Sequence, residues 1–134
     1  GYVVAQIAGG IVGVLVAHAM FDESVLQISA KVRAGPAQWL SEWVASFGLV
    51  ATILLTLRAN PAAVPMSVGL YITAAYWFTA SISFANPAVT IARALSDTFA
   101  GIRPADVPPF VLAQMLGAIA ALYVCRWLTA SDRA

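Results

Sequence analysis

No charged side chain occurs before Asp22, and residues 2–20 form a long apolar run. A helix of this length, rising about 1.5 Å per residue, crosses the roughly 30 Å apolar core of a bilayer. Hydrophobic residues make up 61% of the chain and charged residues 10%, whereas soluble domains carry about 25% charged residues. Together these features predict an all-α membrane protein, and the other apolar runs are candidate spans at residues 39–57, 64–85 and 110–128.

The composition also excludes several classes of function. The net charge is only +1 and no basic run is present, which argues against nucleic acid as a partner. Cys125 is the single cysteine and His18 the single histidine, so no metal site or cofactor is predicted. His18 is interpreted as an interfacial or hydrogen-bonded histidine rather than a ligand. No nucleophile–base pair is visible, and we therefore expect no enzymatic activity.

A carboxylate lies inside the second apolar run. Residues 21–36, which precede that run, are predicted to be an aqueous connecting loop, with or without a short surface helix. Glu42 then follows one or two turns into the helix, where a charge is costly and usually faces other protein groups. One interpretation places Glu42 in the bundle interior with donors around it. The other places it in the headgroup region.

A shorter helix is predicted between the third and fourth runs. Asn86 is a good N-cap because its side chain can accept a hydrogen bond from a free backbone N–H, and Pro87 suits the first helical position. Residues 87–99 favour helix, and Gly101 offers a stop. Because this helix is too short to cross a bilayer, a capped half-helix is predicted between two spans.

Two of the apolar runs share a sequence pattern. The motif AQxxG begins at Ala5 in the first run and at Ala113 in the fourth, and Gly9 and Gly13 have the spacing of close helix contacts. If each run crosses once and the half-helix does not, the two copies run in opposite directions, as in transport folds. The same displacement carries Asn86 to a position upstream of the first residue. A complete duplication would thus place a second half-helix upstream, and we expect the chain to be part of a longer protein.

These residues resemble the aquaporin (major intrinsic protein) family. The resemblance rests on the NPA tripeptide that begins at Asn86, the two AQxxG helices and the motif SExxxSFGL that begins at Ser41. It identifies residues 1–134 with the third to sixth spans of the family and its second re-entrant loop. It implies an aquaporin-like inverted-repeat helical bundle with a re-entrant half-helix, incomplete at the N-terminus, and a homotetramer with one pore per subunit.

The resemblance also implies a role for each residue of the loop. Asn86 would offer its amide to a single file of solute, while Pro87 and Ala88 would hold the loop against a partner loop. The start of the half-helix would add a positive potential of about half a charge, which opposes cations and hydronium. Glu42 would accept hydrogen bonds from the backbone N–H groups of the loop.

The outer selectivity filter of the family maps onto Ala74, Ser83 and Val89, with a fourth position on a span outside the chain. Water-selective members carry Arg where this chain has Val89 and His where it has Ala74. The chain therefore departs from the pattern of water channels. Its ring is expected to be wider and less polar, and suited to neutral solutes larger than water.

Arg93 lies one helical turn beyond Val89 and has two interpretations. It either supplies a positive charge to the outer vestibule, or it pairs with Asp97 on the loop surface. The run over residues 86–102 is also similar to a bacterial subgroup associated with arsenic resistance. That similarity implies uncharged arsenite, which presents hydroxyl groups as glycerol does, as a permeant.

The resemblance and the expected upstream half lead to two hypotheses of function. The first is a passive channel for small uncharged solutes, namely glycerol-like polyols, arsenite-type neutral hydroxides and water, that excludes ions and protons. It would be a multi-pass protein of the bacterial inner membrane whose partners are the lipid bilayer and its own copies. The alternative is a truncated, non-conducting fragment with only a structural or partner role in the membrane.

Overall fold

Five α-helices account for most of the chain in a computed structural model, which describes residues 1–130. The final residues of the predicted domain, 131–134, lie outside the described part. The prediction of an all-α fold is confirmed, since the described residues contain helices and no strand. Short 3₁₀ turns precede α3 and α5. The helices are α1 (Tyr2–Met20), α2 (Pro36–Ala59), α3 (Val64–Phe78), α4 (Pro87–Arg93) and α5 (Val107–Leu128), and the 3₁₀ turns are Pro61–Ala63 and Pro104–Asp106.

The helices differ from the predicted spans in one important place. Within the described residues, three helical segments are long and apolar enough to cross a membrane: Tyr2–Met20, Pro36–Ala59 and Pro104–Leu128. The third predicted span, over residues 64–85, is corrected by the structure. Helix α3 has only 15 residues, which corresponds to about 22 Å at 1.5 Å per residue.

The end of α3 has a local cause. Thr79 leaves the helical conformation with φ −103° and ψ 134°. The carbonyl of Ala75 accepts from the amide of Thr79 at 3.1 Å and also from its hydroxyl at 2.6 Å. Beyond it, the amide of Ser81 donates to the hydroxyl of Ser41 on α2 at 3.1 Å. Helix α3 therefore ends where the backbone turns extended at Thr79 and the amide of Ser81 finds a side-chain acceptor on α2.

The half-helix is shorter than the predicted residues 87–99. It ends at Arg93, so its later residues are a correction to the prediction. The carbonyl of Arg93 accepts hydrogen bonds from the amides of Ser96 and Ile102, and the carbonyl of Ala94 accepts from Ser29 at 2.9 Å. These carbonyls are bonded to amides of a turn and of the loop before α2, and not to amides of a further helical turn. Helix α4 therefore ends at Arg93.

Helices α2 and α5 pack closely through a glycine. A Cβ added to Gly117 would lie 2.4 Å from the carbonyl oxygen of Trp43, so only glycine fits between the two backbones. The matching residue of the first repeat, Gly9, has no neighbour within 4 Å, and neither has Gly13. The close approach predicted for that pair is thus absent among the described residues, and the neighbouring Gly10 meets Ala92 of α4 instead.

The connection between α1 and α2 packs on the segment that follows α4. It contains no helix from residue 23 to residue 34. The amide of Ala30 donates to the Asp97 carboxylate at 2.8 Å, and the carbonyl of Lys31 accepts from the amide of Arg103 at 2.7 Å. His18 is buried at the end of α1, where its ring hydrogen-bonds to Ser96 at 3.0 Å. The later part of the connecting loop, around residues 30 and 31, is therefore anchored on that segment.

The two glycines of the repeat allow a matched test of helix packing. Gly117→Ala forces α2 and α5 apart, and we expect it to destabilise the fold by about 1–3 kcal/mol. Gly9→Ala adds the same methyl group in open space and is expected to leave stability unchanged or slightly higher. Thermal unfolding of the purified chain in detergent micelles, followed by near-UV circular dichroism, measures both. Equal midpoints for the two variants would contradict the packing described here.

Candidate functional site

Glu42 is buried completely and binds the loop that precedes α4. Its Oε1 accepts from the amide of Phe84 at 2.8 Å and from the hydroxyl of Ser81 at 3.0 Å. Its Oε2 accepts from the amide of Ala85 at 3.0 Å and from the side chain of Gln114 on α5. Glu42 thus lies in the bundle interior with donors around it, as the first interpretation proposes.

The same loop has an unusual backbone. Three residues without glycine's freedom adopt positive φ: Ile82 (57°), Ser83 (49°) and Ala85 (49°). Each such residue costs roughly 1–2 kcal/mol, and more when it is β-branched, as Ile82 is. The charge-assisted hydrogen bonds to Glu42 oppose this cost. The loop is therefore held in a strained shape by a carboxylate on a neighbouring helix.

A second polar chain links Glu42 to the start of α4. Gln114 is 3% exposed and donates both to Glu42 and to the hydroxyl of Thr90, the latter at 2.8 Å. The Thr90 hydroxyl donates in turn to the carbonyl of Asn86 at 2.8 Å. The glutamine of the second AQxxG motif thus has a defined partner set. Its counterpart in the first motif, Gln6, is exposed and bonds only to Tyr2.

Asn86 caps α4 as predicted. Its side-chain oxygen accepts from the amides of Ala88 at 2.8 Å and Val89 at 3.4 Å, and Pro87 occupies the first helical position. Ala88 is buried. Because the oxygen is committed to the cap, the geometry of the planar amide fixes the NH₂ group as well. That group has no hydrogen-bond partner among the described residues and remains available as a donor.

A cavity of about 320 Å³ opens beside Asn86. Three other predicted site residues, Ser83, Val89 and Arg93, also line it, so the structure brings four of the predicted residues to one place. The lining combines polar side chains with a larger number of apolar ones. The remaining lining residues are Leu49, Val68, Ile72, Tyr76, Phe84 and Ala85.

Ala74 is the predicted filter residue that the structure does not bring to this cavity. It is exposed on α3 and absent from the cavity lining. Ile72 and Tyr76 line the cavity instead, and their spacing of four puts them on one helical face from which Ala74 points away. Tyr76 was visible in the sequence only as one of several aromatic residues near the end of α3. The i, i+4 spacing from Ile72 is the signal that could have identified it.

The two interpretations of Arg93 are decided by its contacts. Its Nη2 donates to the hydroxyl of Tyr76, and its guanidinium lies 4.4 Å from the centre of the Phe84 ring. Asp97, the alternative partner, instead accepts from the amide of Ala30. Pairing of Arg93 with Asp97 is therefore wrong, and the positive charge lies at the cavity.

Arg33 is a structural residue that the sequence did not reveal. It belongs to the loop before α2, yet it is 4% exposed. Its guanidinium donates to the carbonyls of Ser81, Phe99 and Gly101, and it lies 5.0 Å from the Phe84 ring on which Arg93 also packs. Burial, and then the nearby Arg93, lower the pKa of Arg33, although a guanidinium remains charged at neutral pH.

Comparison with known proteins places the chain in a family. Residues 56–134 match the major intrinsic protein family, which is more than half of the chain. The chain belongs to the major intrinsic protein family. It is also 65% identical over 127 residues to the aquaglyceroporin AqpS of Rhizobium meliloti (strain 1021), a match that covers 95% of this chain and 54% of the relative. The chain thus spans about half the length of the curated relative it matches, and no solved structure gives a significant match.

Family membership makes the re-entrant loop the natural candidate for the site. In this member of the major intrinsic protein family, the loop around the NPA tripeptide is supported from behind by Glu42 and Arg33 and opens in front onto the cavity. No cluster of metal-ligating side chains occurs among residues 1–130. The arrangement offers hydrogen-bond donors and apolar side chains to a small molecule.

The role of Glu42 can be tested by removing half of its acceptors. Glu42→Gln replaces one carboxylate oxygen by an NH₂ group, which then faces two donors that have lost their acceptor. Since each unsatisfied buried group costs about 1–3 kcal/mol, we expect a loss of about 2 kcal/mol or more. Thermal unfolding in micelles measures the loss. The exposed carboxylate Glu23 provides the control, because Glu23→Gln should change nothing; similar midpoints for both variants would contradict the assignment.

Proposed function

We propose that the chain forms the solute-conducting part of a passive membrane channel for small uncharged solutes. The observation that carries the proposal is the cavity beside the N-cap of α4, where the NH₂ group of Asn86 is held as a donor against an apolar wall. A solute that passes this point exchanges a few hydrogen bonds with water for a few with the protein. The catalytic constellations required for an enzyme have no counterpart in this cavity.

The exclusion of ions follows from the charges around the cavity. Among the described residues, no carboxylate lines it, and Arg93 places a positive charge there. A cation would lose hydration without gaining a counter-charge, which is costly in an apolar surrounding. The fixed NH₂ group of Asn86 acts only as a donor, so it interrupts a chain of water molecules along which protons could pass.

The proposed solutes are glycerol-like polyols, arsenite-type neutral hydroxides and water. Val89 offers no hydrogen bond and no charge at a position where water-selective relatives carry arginine, which favours solutes with a carbon face. The name of the Rhizobium relative, an aquaglyceroporin, supports the same class. Undissociated arsenite presents hydroxyl groups and no charge, so the same groups would bind it.

The proposal includes a multi-pass location in a bacterial inner membrane and assembly into a homotetramer. Large apolar side chains are exposed along α5, including Leu112, Met115 and Leu116, and these require lipid or another subunit around them. Because the chain spans about half of its relative, conduction by this chain alone is a separate question. A non-conducting structural role is the alternative that this question leaves.

Solute-driven swelling of proteoliposomes tests the function. Two preparations are compared: the 134-residue chain alone, and an extended protein in which it is joined to the part of the Rhizobium relative that has no counterpart in it. We expect the extended protein to pass glycerol, arsenite and water, and the chain alone to pass none of them. An extended protein that passes only water contradicts the proposed solutes, and a chain that conducts alone removes the non-conducting alternative.

The apolar filter position gives a second prediction. In the extended protein, Val89→Arg adds a charge, donors and bulk at the cavity, and should lower glycerol flux about tenfold while water flux falls less. An added barrier of about 1.4 kcal/mol corresponds to that factor. Val89→Leu adds bulk alone and separates size from charge. Glycerol flux that stays unchanged in Val89→Arg would exclude Val89 from the path.

A further inference from the structure

On the basis of the proposed channel function, we infer that Arg93 is the donor that gives the cavity its preference for small polyols over water, and that Tyr76 positions it. Arg93 is thereby a specificity-determining residue, and Tyr76 is a positioning residue that acts through it.

The guanidinium of Arg93 is held on two sides. It lies 4.4 Å from the centre of the Phe84 ring and 5.6 Å from that of Tyr76. Its Nη2 donates to the Tyr76 hydroxyl. With one nitrogen bound and the plane fixed on aromatic faces, the direction of the remaining N–H groups is determined by the protein.

The second terminal nitrogen has no partner. Nη1 of Arg93 is buried and makes no hydrogen bond to any described residue. A guanidinium has donors only, so this nitrogen requires an oxygen acceptor, and a charged donor left unpaired in a buried position is strongly unfavourable. Arg93 lines this cavity and also a second one beside His18 and Phe21, and a molecule in the first can supply that oxygen. The hydrogen bond would be charge-assisted and stronger than one between neutral groups.

Ser83 provides an independent second observation. Its side chain is 3% exposed, it lines the same cavity, and its hydroxyl has no partner among residues 1–130. A hydroxyl can donate or accept, whereas Arg93 and the Asn86 NH₂ group only donate. The polar groups of the cavity therefore match a molecule with at least two hydroxyl groups.

The apolar part of the cavity selects among such molecules. Val68, Ile72 and Val89 line it and offer contacts to carbon but no hydrogen bonds. A small polyol carries hydroxyl oxygens on one edge and C–H groups on the other, so it satisfies both sides. Water satisfies only the polar groups, and a small cation finds donors and a like charge. The geometry points to a polyol as the favoured solute.

The test uses the ratio of glycerol to water permeability of the extended protein in proteoliposomes. Arg93→Gln keeps an amide donor but removes the charge, and we expect the ratio to fall about fivefold, as for a difference of about 1 kcal/mol. Lys31→Gln is the matched control, because it removes an exposed positive charge outside the cavity, and it should leave the ratio unchanged. A loss of folding alone would lower both permeabilities and not their ratio.

Tyr76→Phe keeps the ring and removes only the acceptor of Nη2, and it should lower the ratio about twofold in the same direction. If the Arg93→Gln variant conducts nothing, the Tyr76→Phe variant is decisive. A lower ratio of glycerol to water permeability in Tyr76→Phe supports the inference, and an unchanged ratio overturns it. An unchanged ratio in Arg93→Gln, or an equal fall in Lys31→Gln, also overturns it. An unmodified extended protein that excludes glycerol would instead contradict the proposed function.

Discussion

Glu42 accepts hydrogen bonds from the backbone amides of Phe84 and Ala85, and the position of the Asn86 loop depends on these bonds. The loop leaves α3 early and passes through left-handed backbone conformations, so it cannot satisfy its own amides as a helix does. A carboxylate with two oxygens and several lone pairs is well suited to replace those lost partners. Gln114 extends the network to α5 and α4, which couples the loop to three helices.

A second set of contacts holds the loop through its backbone carbonyl groups. Arg33 donates to carbonyls before and after α4, whereas Glu42 accepts from amides, so the two side chains use opposite backbone groups. Phe84 lies between the guanidinium groups of Arg33 and Arg93. The Phe84 ring therefore contacts both Arg33, which supports the loop, and Arg93, which lines the cavity. A change at Phe84 would affect both.

Local sequence patterns predicted the helical cap and the long helices of this architecture. Asn86 and Pro87 predicted the cap of α4 because capping depends on adjacent residues, and the apolar runs predicted the long helices because hydropathy is read locally. The predicted ends of α3 and α4 were wrong, since the observed ends depend on contacts with Ser41 and Ser29 in distant segments. Arg33 was missed for the same reason: its partners are backbone carbonyls, which no sequence pattern marks.

Hydrogen exchange at the amides of Phe84 and Ala85 tests the central claim most directly. The chain is purified in detergent micelles, and exchange at these two amides is compared with exchange in the exposed loop around Leu26. If Glu42 holds the loop, both amides exchange as slowly as those within α2, although they lie outside any helix. Exchange at the rate of the exposed loop would contradict the account.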